Sequence, residues 1–352
     1  MGRAIKRLKK NTKSSRSWCD LPIDILYTIA NRLDYDDQCR FRAVCKSWRP
    51  ICGDHCADKL PWIMFYSWHR NNNHDFYKIS CELQTLSTNR KYSIPIGREG
   101  IKNASIHDSK CGWVLLSKGE DKFNGEISLF FHSPFTNKIR ETPKLCITSY
   151  STMAASFSID PTNPNCVVFV LTTSGLEFRV STWKACEKTW KTHVFYEFYD
   201  CGRDVIFVDG SFYWVFVRNY ECVLGGFNVE DQEFIIFMDQ FPFSSSHLIG
   251  SDKDLLVTNY DCNVHRWDVF KFDSGSSSLV RLESLGDRVL FMGETSVSIR
   301  ASEKTNKLAN TVHLISYANY QAYCYNGSRS CHQIYNGIST ESWFKKIWIQ
   351  PP

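Results

Sequence analysis

Hydrophobic and polar positions follow two different patterns along this chain. From residue 20 to residue 33 the apolar positions recur every three or four residues, at Ile23, Leu26, Ala30 and Leu33. This spacing predicts an amphipathic helix. After residue 60 the pattern changes to short runs of β-branched and aromatic residues separated by turn residues, which predicts strands. The chain is therefore expected to divide near residue 60 into a small helical part and a long β-rich part.

The helical part contains a second periodic segment. Its predicted helical face is formed by Phe41, Val44, Cys45, Trp48, Ile51 and Cys52. Pro50 predicts an end or a kink there, because proline has no amide hydrogen to donate. Pro22 suits the first turn of the earlier helix, and Asp20 or Asp24 places negative charge near its positive end. Helices in about 35 residues cannot cover all of their own apolar surface, so these faces either pack on the β-rich part or bind a partner.

The β-rich part repeats a unit of four predicted strands. Two successive units illustrate it, with strands expected at 154–160, 166–171, 176–180 and 190–195, and then at 204–208, 211–217, 225–229 and 233–237. Asp209-Gly210 predicts a type I′ hairpin turn, and the pair Gly225-Gly226 predicts a bulge. Turns before the last strand of each unit are expected near residues 84, 135, 185, 231, 275 and 328. A period of roughly 45 to 55 residues with four strands per unit is typical of a β-propeller.

The predicted fold class is α+β multidomain, with a small all-α N-terminal part followed by an all-β propeller of about six four-stranded blades, five or seven being allowed. A closed ring must join its two ends. The segments 61–68 and 343–352 are both rich in aromatic residues, and we hypothesise that they complete one shared blade.

Composition and charge narrow the function. Among the 352 residues, 43% are hydrophobic and 22% are charged, which excludes a disordered or fibrous chain. Residues 1–16 carry seven basic side chains and no acidic one, so removing them from the net charge of +5 leaves −2 for the rest. A nearly neutral body argues against nucleic-acid binding, which needs many basic residues on the contact face. The basic tail holds Lys6, Arg7, Lys9 and Lys10, which form either a nuclear localisation signal or a solvated arm.

The sequence also indicates the compartment. It contains no apolar run of the roughly 18 residues that a membrane helix requires and no apolar secretory segment. Its 15 cysteines are scattered and odd in number, unlike a disulfide framework. We therefore expect an intracellular protein, nuclear and/or cytoplasmic, with reduced thiols and no membrane contact.

Chemical motifs are weak throughout the chain. Cys45, Cys52, His55 and Cys56 lack the paired spacing of a structural zinc site, so helix packing is the favoured interpretation and no metal or cofactor is expected. Single histidines occur at His132, His193, His247, His265 and His313, where structural roles are favoured. Candidate carboxylates for a glycosidase are Asp200, Asp204, Asp209, Glu221, Asp252 and Asp254, but most lie in predicted turns. No catalytic residue is therefore assigned.

The helical part resembles the F-box. The resemblance lies in Leu21-Pro22-X-Asp24-Ile25-Leu26, then Ile29, Arg32-Leu33 and Asp37, and finally the run from Arg40 to Arg49. It implies binding to the Skp-type adaptor of a cullin-RING ubiquitin ligase. The positions matching the family's adaptor-facing residues are Leu21, Pro22, Ile25, Leu26, Ile29, Leu33, Val44, Cys45 and Trp48. Pro50 departs from the family pattern, because it falls within the usual third helix.

Most of the chain resembles the plant F-box proteins that carry a KIB-type β-propeller. The resemblance rests on the order of the two parts, the motif from Val208 to Trp214 and the aromatic, proline-ended C-terminus. It implies a flexible basic tail over 1–17, an F-box over 18–58 and a substrate-binding propeller over 59–352. The expected role is that of a non-catalytic substrate-recognition subunit of an SCF-type E3 ubiquitin ligase. Its partners would be the adaptor, through it the cullin and RING subunits, and an unknown target protein marked for degradation.

Two alternatives stay open. One is an F-box protein that binds the adaptor but acts as a scaffold or competitor outside ubiquitination. The other is a propeller enzyme with a helical appendage.

Overall fold

A computed structural model describes residues 18–33, 35–51, 60–70, 76–86, 89–94, 101, 104–119, 124–148, 150, 152–174, 177–196, 200–218, 220–243, 246–261, 266–303, 305–315, 320–325, 331–332 and 344–352. The chain forms two compact units, Met1–Lys59 and Leu60–Pro352. The predicted basic tail 1–17, with Lys6, Arg7, Lys9 and Lys10, lies outside the described residues.

The helical unit begins with a 3₁₀ turn at Trp18–Asp20, followed by α1 at Ile23–Ala30 and α2 at Tyr35–Val44. Pro22 immediately precedes α1, and its carbonyl accepts hydrogen bonds from the amides of Ile25 and Leu26 at 3.1 and 3.2 Å. At the other end of α1, the side-chain amide of Gln38 donates to the carbonyl of Ala30 at 2.8 Å. This buried bond ties the start of α2 to the end of α1, since it satisfies a carbonyl that the helix itself leaves without a partner.

The predicted helical face from Phe41 to Cys52 is wrong beyond Val44, where α2 ends. Residues 46–51 form turns, in which the amide of Trp48 donates to Cys45 at 3.3 Å and that of Ile51 donates to Trp48 at 3.2 Å. Pro50 cannot donate an i→i−4 bond and disfavours helical dihedrals in Arg49 before it, so a regular helix cannot continue through this position. The end of α2 five residues before Arg49 is not explained by the proline.

The second unit is a six-bladed β-propeller, which confirms the predicted fold class. Blade 1 contains β1 Trp62–Arg70, β2 Phe76–Gln84, β3 Lys91–Ile94 and the last strand, β26 Phe344–Ile349. Blade 2 contains β4 Ser105–Lys110, β5 Trp113–Gly119, β6 Asn124–Ser133, β7 Lys138–Glu141 and β8 Leu145–Thr148. Blade 3 contains β9 Thr152–Phe157, β10 Val167–Ser174, β11 Glu177–Lys184 and β12 Lys191–Tyr196.

Blade 4 contains β13 Asp200–Val208, β14 Ser211–Arg218, β15 Glu221–Asn228 and β16 Glu233–Met238. Blade 5 contains β17 Ser246–Ser251, β18 Asp254–Asp261, β19 Arg266–Asp273 and β20 Ser278–Arg281. Blade 6 contains β21 Arg288–Met292, β22 Val297–Arg300, β23 Thr311–Ile315, β24 Tyr320–Cys324 and β25 Cys331–His332. A 3₁₀ turn at Asn306–Leu308 lies between β22 and β23.

The four strands of blades 3, 4 and 5 are called a to d in chain order, and their a strands β9, β13 and β17 contact each other around the ring. These a strands run in the same direction. Gly250, near the end of β17, lies so close to Val208 at the end of β13 that a Cβ on the glycine would be 3.1 Å from Val208 Cγ2. Because each blade is antiparallel, all of its a–b and c–d turns lie at one end of the propeller, and its b–c turns lie at the opposite end. We call these the a–b end and the b–c end.

The predicted turn chemistry is confirmed in blade 4. Asp209 and Gly210 both have positive φ angles, of 43° and 87°, as a type I′ turn requires. The pairing of β15 with β16 shifts register between Leu224 and Gly225, which confirms the predicted bulge. The predicted turns near residues 84, 135, 185, 231 and 275 also separate paired strands, whereas residue 328 lies outside the described residues.

Blade 6 departs from the regular repeat. Strand β21 pairs antiparallel with β22 and parallel with β23, giving the order β22-β21-β23-β24-β25. A parallel pair needs a crossover of about a dozen residues or more, and residues 293–310, which include β22, connect β21 to β23. The hydroxyl of Tyr325 connects this blade to blade 5, because it donates to the carbonyl of Leu282 at 2.6 Å and accepts from the amide of Val269 at 3.1 Å.

The two ends of the propeller unit share blade 1, which confirms the ring-closure hypothesis. Strand β26 pairs antiparallel with β1 and is an edge strand of the blade, in contact with β4 of blade 2. Trp348 is fully buried, and its indole nitrogen donates to the carbonyl of Met292 at 2.9 Å. Its own carbonyl accepts hydrogen bonds from the hydroxyls of Thr295, at 2.8 Å, and Ser109. One residue of the last strand therefore connects blades 6, 1 and 2.

We expect Trp348→Ala to lower the free energy of unfolding by about 3–5 kcal/mol, because it leaves a large cavity at the closure. Urea unfolding followed by circular dichroism measures this loss. The control is Tyr220→Ala, which removes an aromatic ring that is 97% exposed and should leave the midpoint unchanged. Deleting residues 343–352 removes the whole strand and should leave the chain insoluble. A truncated protein of unchanged stability would contradict ring closure by this strand.

Gly225→Ala is expected to destabilise the protein by about 1–3 kcal/mol through overpacking. The new Cβ would lie 2.6 Å from Phe216 Cε1 and 2.9 Å from Phe234 Cε2, so two buried or half-buried rings must move. Gly275→Ala is the matched control, since its nearest contact is 3.5 Å away at a flexible carboxylate. Equal melting temperatures for the two variants would show that the blade absorbs the extra methyl group.

Candidate functional site

Helix α1 carries more apolar surface than its own unit covers. At about 100° per residue, Leu26 and Ala30 face one direction, Ile25 and Ile29 lie on one side of them, and Ile23 lies on the other. Ile23 and Ile25 are 58% and 48% exposed, whereas Leu26 and Ala30 are buried. With Tyr27 on the same side as Ile23, the apolar arc spans about 200°, roughly twice the stripe of an ordinary surface helix. Its two flanks remain open to solvent.

The centre of the arc forms the core of the helical unit. This core consists of Leu26, Ala30, Phe41, Trp48 and Ile51. Phe41 and Trp48 stack with ring centroids 4.4 Å apart. The rings fill the space between α1 and the turns after α2, so the short last segment is held by packing rather than by helical hydrogen bonds.

The nine residues that match the adaptor-facing positions fall into three groups. Pro22, Ile25, Ile29 and Val44 are exposed, whereas Leu21, Leu33 and Cys45 are half-buried and Leu26 and Trp48 are buried. A partner could contact Leu26 or Trp48 directly only if that side chain left the core. Motif matching did not identify Trp18, Ile23 and Tyr27 as part of the apolar surface, although all three are exposed. The helical wheel of α1 places Ile23 and Tyr27 on the second flank, so the sequence did contain that signal.

Polar residues separate the two flanks of α1. Asp24 and Thr28 occupy this polar side, and the hydroxyl of Thr28 donates to the carbonyl of Asp24 at 2.8 Å. Cys45 contacts the hydroxyl of Ser47 at 3.1 Å, and this hydrogen bond lowers the pKa of the Cys45 thiol. The other members of the weighed zinc set, Cys52, His55 and Cys56, lie outside the described residues.

Carboxylates in blades 5 and 6 are matched with basic side chains. Asp254 lies 2.8 Å from the ammonium of Lys271 and also pairs with Arg288. Partial burial acts to raise the pKa of Asp254, but hydrogen bonds and charge from these two bases lower it overall. Arg300 bridges Asp252 and Asp287, at 2.7 Å from each. These pairs connect neighbouring blades and compensate the negative charges at the a–b end.

The remaining predicted candidates are dispersed. His132 and His313 are buried, and burial lowers both pKa values, that of His313 to about 4, which keeps the rings neutral at physiological pH. Asp209 lies at the a–b end, whereas Glu221 lies at the b–c end. The side chain of Asp200 and the whole of His265 lie outside the described residues. Within the described part of the chain, no group of three metal-ligating side chains occurs, and no helix is long and apolar enough to cross a membrane.

A small helical unit with uncovered apolar flanks, followed by a six-bladed propeller, defines an F-box protein with a C-terminal propeller. Residues 18–59 match the F-box domain model, and residues 77–340 match the KIB1-4 beta-propeller model. The chain belongs to the KIB1-4 β-propeller family of plant F-box proteins.

Relatives extend over the whole chain. The F-box/kelch-repeat protein At1g57790 of Arabidopsis thaliana is 28% identical over 97% of this chain and 97% of its own length. The F-box protein At3g56470 of the same plant is 24% identical over 96% of this chain and 89% of its own length. TolB from Acinetobacter baumannii has a TM-score of 0.44 at 9% identity over 80% of this chain and 65% of that one, a likeness that carries no functional argument.

Trp48→Ala is expected to unfold the helical unit, since truncating a buried tryptophan costs about 3–5 kcal/mol and the core holds few other large side chains. Hydrogen–deuterium exchange of peptides from 18–51 measures the loss of amide protection, with propeller peptides as an internal reference. Val44→Ala is the control, because Val44 is 56% exposed and its removal should leave protection intact. Full protection in Trp48→Ala would contradict a structural role for the ring.

Proposed function

We propose that this protein is the substrate-recognition subunit of an SCF-type E3 ubiquitin ligase, with the helical unit binding a Skp-type adaptor and the propeller binding a target protein. The observation that supports this proposal most strongly is the match to the F-box on a helix whose apolar flanks lie open. The adaptor in turn recruits the cullin and RING subunits. The working boundaries are 18–58 for the F-box and 59–352 for the propeller.

The proposed contact with the adaptor is formed by those residues that match adaptor-facing positions of the F-box and are exposed. Pro22, Ile25, Ile29 and Val44 can be buried by a partner without any change in the helical unit. Full burial of an isoleucine side chain contributes about 1.5–3 kcal/mol, and a helix face in an apolar groove is a recurrent way to bind. Leu21, Leu33 and Cys45 would line the edge of the contact. Leu26 and Trp48 act as positioning residues, because they hold α1 against the turns after α2.

The proposed mechanism is proximity. A target held by the propeller would lie near the ubiquitin-loaded enzyme, which raises the effective concentration of its lysines. This chain would form no covalent intermediate, and its own residues would only bind and orient. The proposed site of action is intracellular, and Lys6, Arg7, Lys9 and Lys10 would act as a nuclear localisation signal if the tail directs it there.

Adaptor binding can be tested with purified components. Ile25→Ala/Ile29→Ala removes one exposed flank of α1 and is expected to weaken binding to a Skp-type adaptor by about a hundredfold or more. Calorimetry or a quantitative pull-down gives the change in affinity. Asp24→Ala/Thr28→Ala is the matched control on the polar side of the same helix, where binding should stay within about twofold of wild type.

The double variant Leu21→Ala/Pro22→Ala tests the F-box motif itself, because it changes the first two residues of that motif. Equal binding by wild type and all variants, or no binding by any of them, would rule out the F-box contact and favour a propeller enzyme. Adaptor binding without ubiquitin transfer to a target in a reconstituted ligase would instead favour the scaffold or competitor.

A further inference from the structure

Exposed tyrosines of the propeller gather at the b–c end. Tyr220 is 97% exposed in the turn between β14 and β15, and Tyr260 is exposed near the end of β18. Tyr196, the last residue of β12, is exposed at the same end of blade 3. Tyrosine and tryptophan are enriched where proteins bind other proteins, because each offers a large, rigid contact area with a polar tip.

Tyr220 also has an unfavourable backbone conformation. Its φ angle is +66°, in the left-handed region that disfavours side chains with a Cβ. A glycine or an asparagine would satisfy this turn at lower conformational cost. The ring of Tyr220 is almost fully exposed, so it is accessible to a contact with another molecule.

At the same end of the propeller, blades 4 and 5 form a cluster of aromatic and polar side chains. Tyr260 and Trp267 lie opposite each other on β18 and β19, with ring centroids 5.1 Å apart. His247 lies 6.5 Å from Trp267, measured between ring centroids. Its Nδ1 is 3.3 Å from a carboxylate oxygen of Asp204 in β13, an ion-pair distance without the alignment of a hydrogen bond.

The indole nitrogen of Trp267 is buried and has no hydrogen-bond partner among the described residues. A buried donor without a partner costs about 1–3 kcal/mol. Six other buried side-chain nitrogen and oxygen atoms of the described residues share this property, so the atom adds a polar group to the cluster but does not by itself indicate a ligand. The unsatisfied donor lies directly beside the exposed ring of Tyr260.

Among the described residues, acidic side chains outnumber basic ones at the b–c end of blade 4. Asp204, Glu221 and Asp239 contribute three carboxylates at the b–c end of blade 4, and Arg218 pairs with Asp239 at 3.6 Å. At the a–b end, by contrast, Asp252 and Asp254 are compensated by arginine and lysine. Aromatic rings beside a carboxylate are the combination that attracts a cation, through the ring faces and through the charge.

We propose that Asp204, Tyr220, His247, Tyr260 and Trp267 form a recognition surface, the b–c patch, that binds a lysine- or arginine-containing segment of a target protein. Basic side chains of the segment contact the ring of Tyr260 and the carboxylate of Asp204. Tyr220 contacts neighbouring residues of the same segment. This inference rests on the proposed function, because it specifies which end of the propeller holds the target and what chemistry the target offers.

Peptide display on the purified full chain tests the proposal, and it does not require the target to be identified first. A phage library of random dodecapeptides is panned on wild type, and the frequency of lysine and arginine in bound clones is compared with that in the input library. We expect a several-fold enrichment. Binding of the selected peptides should fall about tenfold in Asp204→Asn and in Tyr260→Leu, the scale of one lost charge-assisted contact or one lost cation–π contact.

Asp209→Asn is the matched control. It removes a carboxylate from the same blade at the a–b end, and asparagine tolerates the positive φ angle of that position. Peptide binding by this variant should equal that of wild type, and all variants must keep the wild-type melting temperature. No basic enrichment, or equal binding by Asp204→Asn and wild type, would overturn the b–c patch as the recognition site. Adaptor affinity measured on the same preparations separates the two proposals, since it depends on the helical unit alone.

Discussion

Closure of the ring by the last strand is the constraint on which the rest of the propeller depends. Strand β26 pairs with β1 across more than 270 residues of chain, so blade 1 is complete only when the whole sequence is present. Without it, β1 and the neighbouring blades would expose unpaired edges, which are prone to aggregate. The hydrogen bonds of Trp348 to blades 6 and 2 show how one residue fixes three blades at once. The positions of the blades, and therefore of the turns at both ends of the propeller, depend on that closure.

The fold was predictable where local chemistry determines it. Asp209-Gly210 fixes a hairpin because both residues accept positive φ angles, and the aromatic segments at the two ends indicated their pairing. Blade 6 was not predictable in the same way, because the parallel pairing of β21 with β23 depends on contacts far apart in sequence. The end of α2 at Val44 was only partly predictable. Pro50 correctly indicated an interruption of the helix, but the helical periodicity of the sequence continued through residues 46–51, which form turns.

The candidate adaptor site was also only partly predictable from the sequence. A motif identifies which positions matter, but it does not separate side chains that hold a surface together from those that form it. Leu26 and Ile25 are neighbours in the same motif, yet one is buried and the other is exposed. The distinction depends on where Phe41 and Trp48 pack, which the spacing of apolar residues in α1 alone does not determine. Burial therefore changes how the variants are chosen, since exposed residues test binding and buried ones test folding.

The charge pairs described above and the residues proposed for recognition lie at opposite ends of the propeller. In blades 3, 4 and 5 the a–b turns fall at one end and the b–c turns at the other, so the two ends can differ in composition independently. At the a–b end, Arg300 bridges Asp252 and Asp287, and the charges that face each other are compensated. At the b–c end, Tyr220 keeps a strained backbone and Trp267 keeps a buried donor without a partner among the described residues. Neither feature is confined to that end, since Asp209 and Asp252 also have positive φ angles and the buried indole nitrogen of Trp214 also lacks a partner among the described residues. What distinguishes the b–c end is the exposure of the rings of Tyr220 and Tyr260 beside its carboxylates.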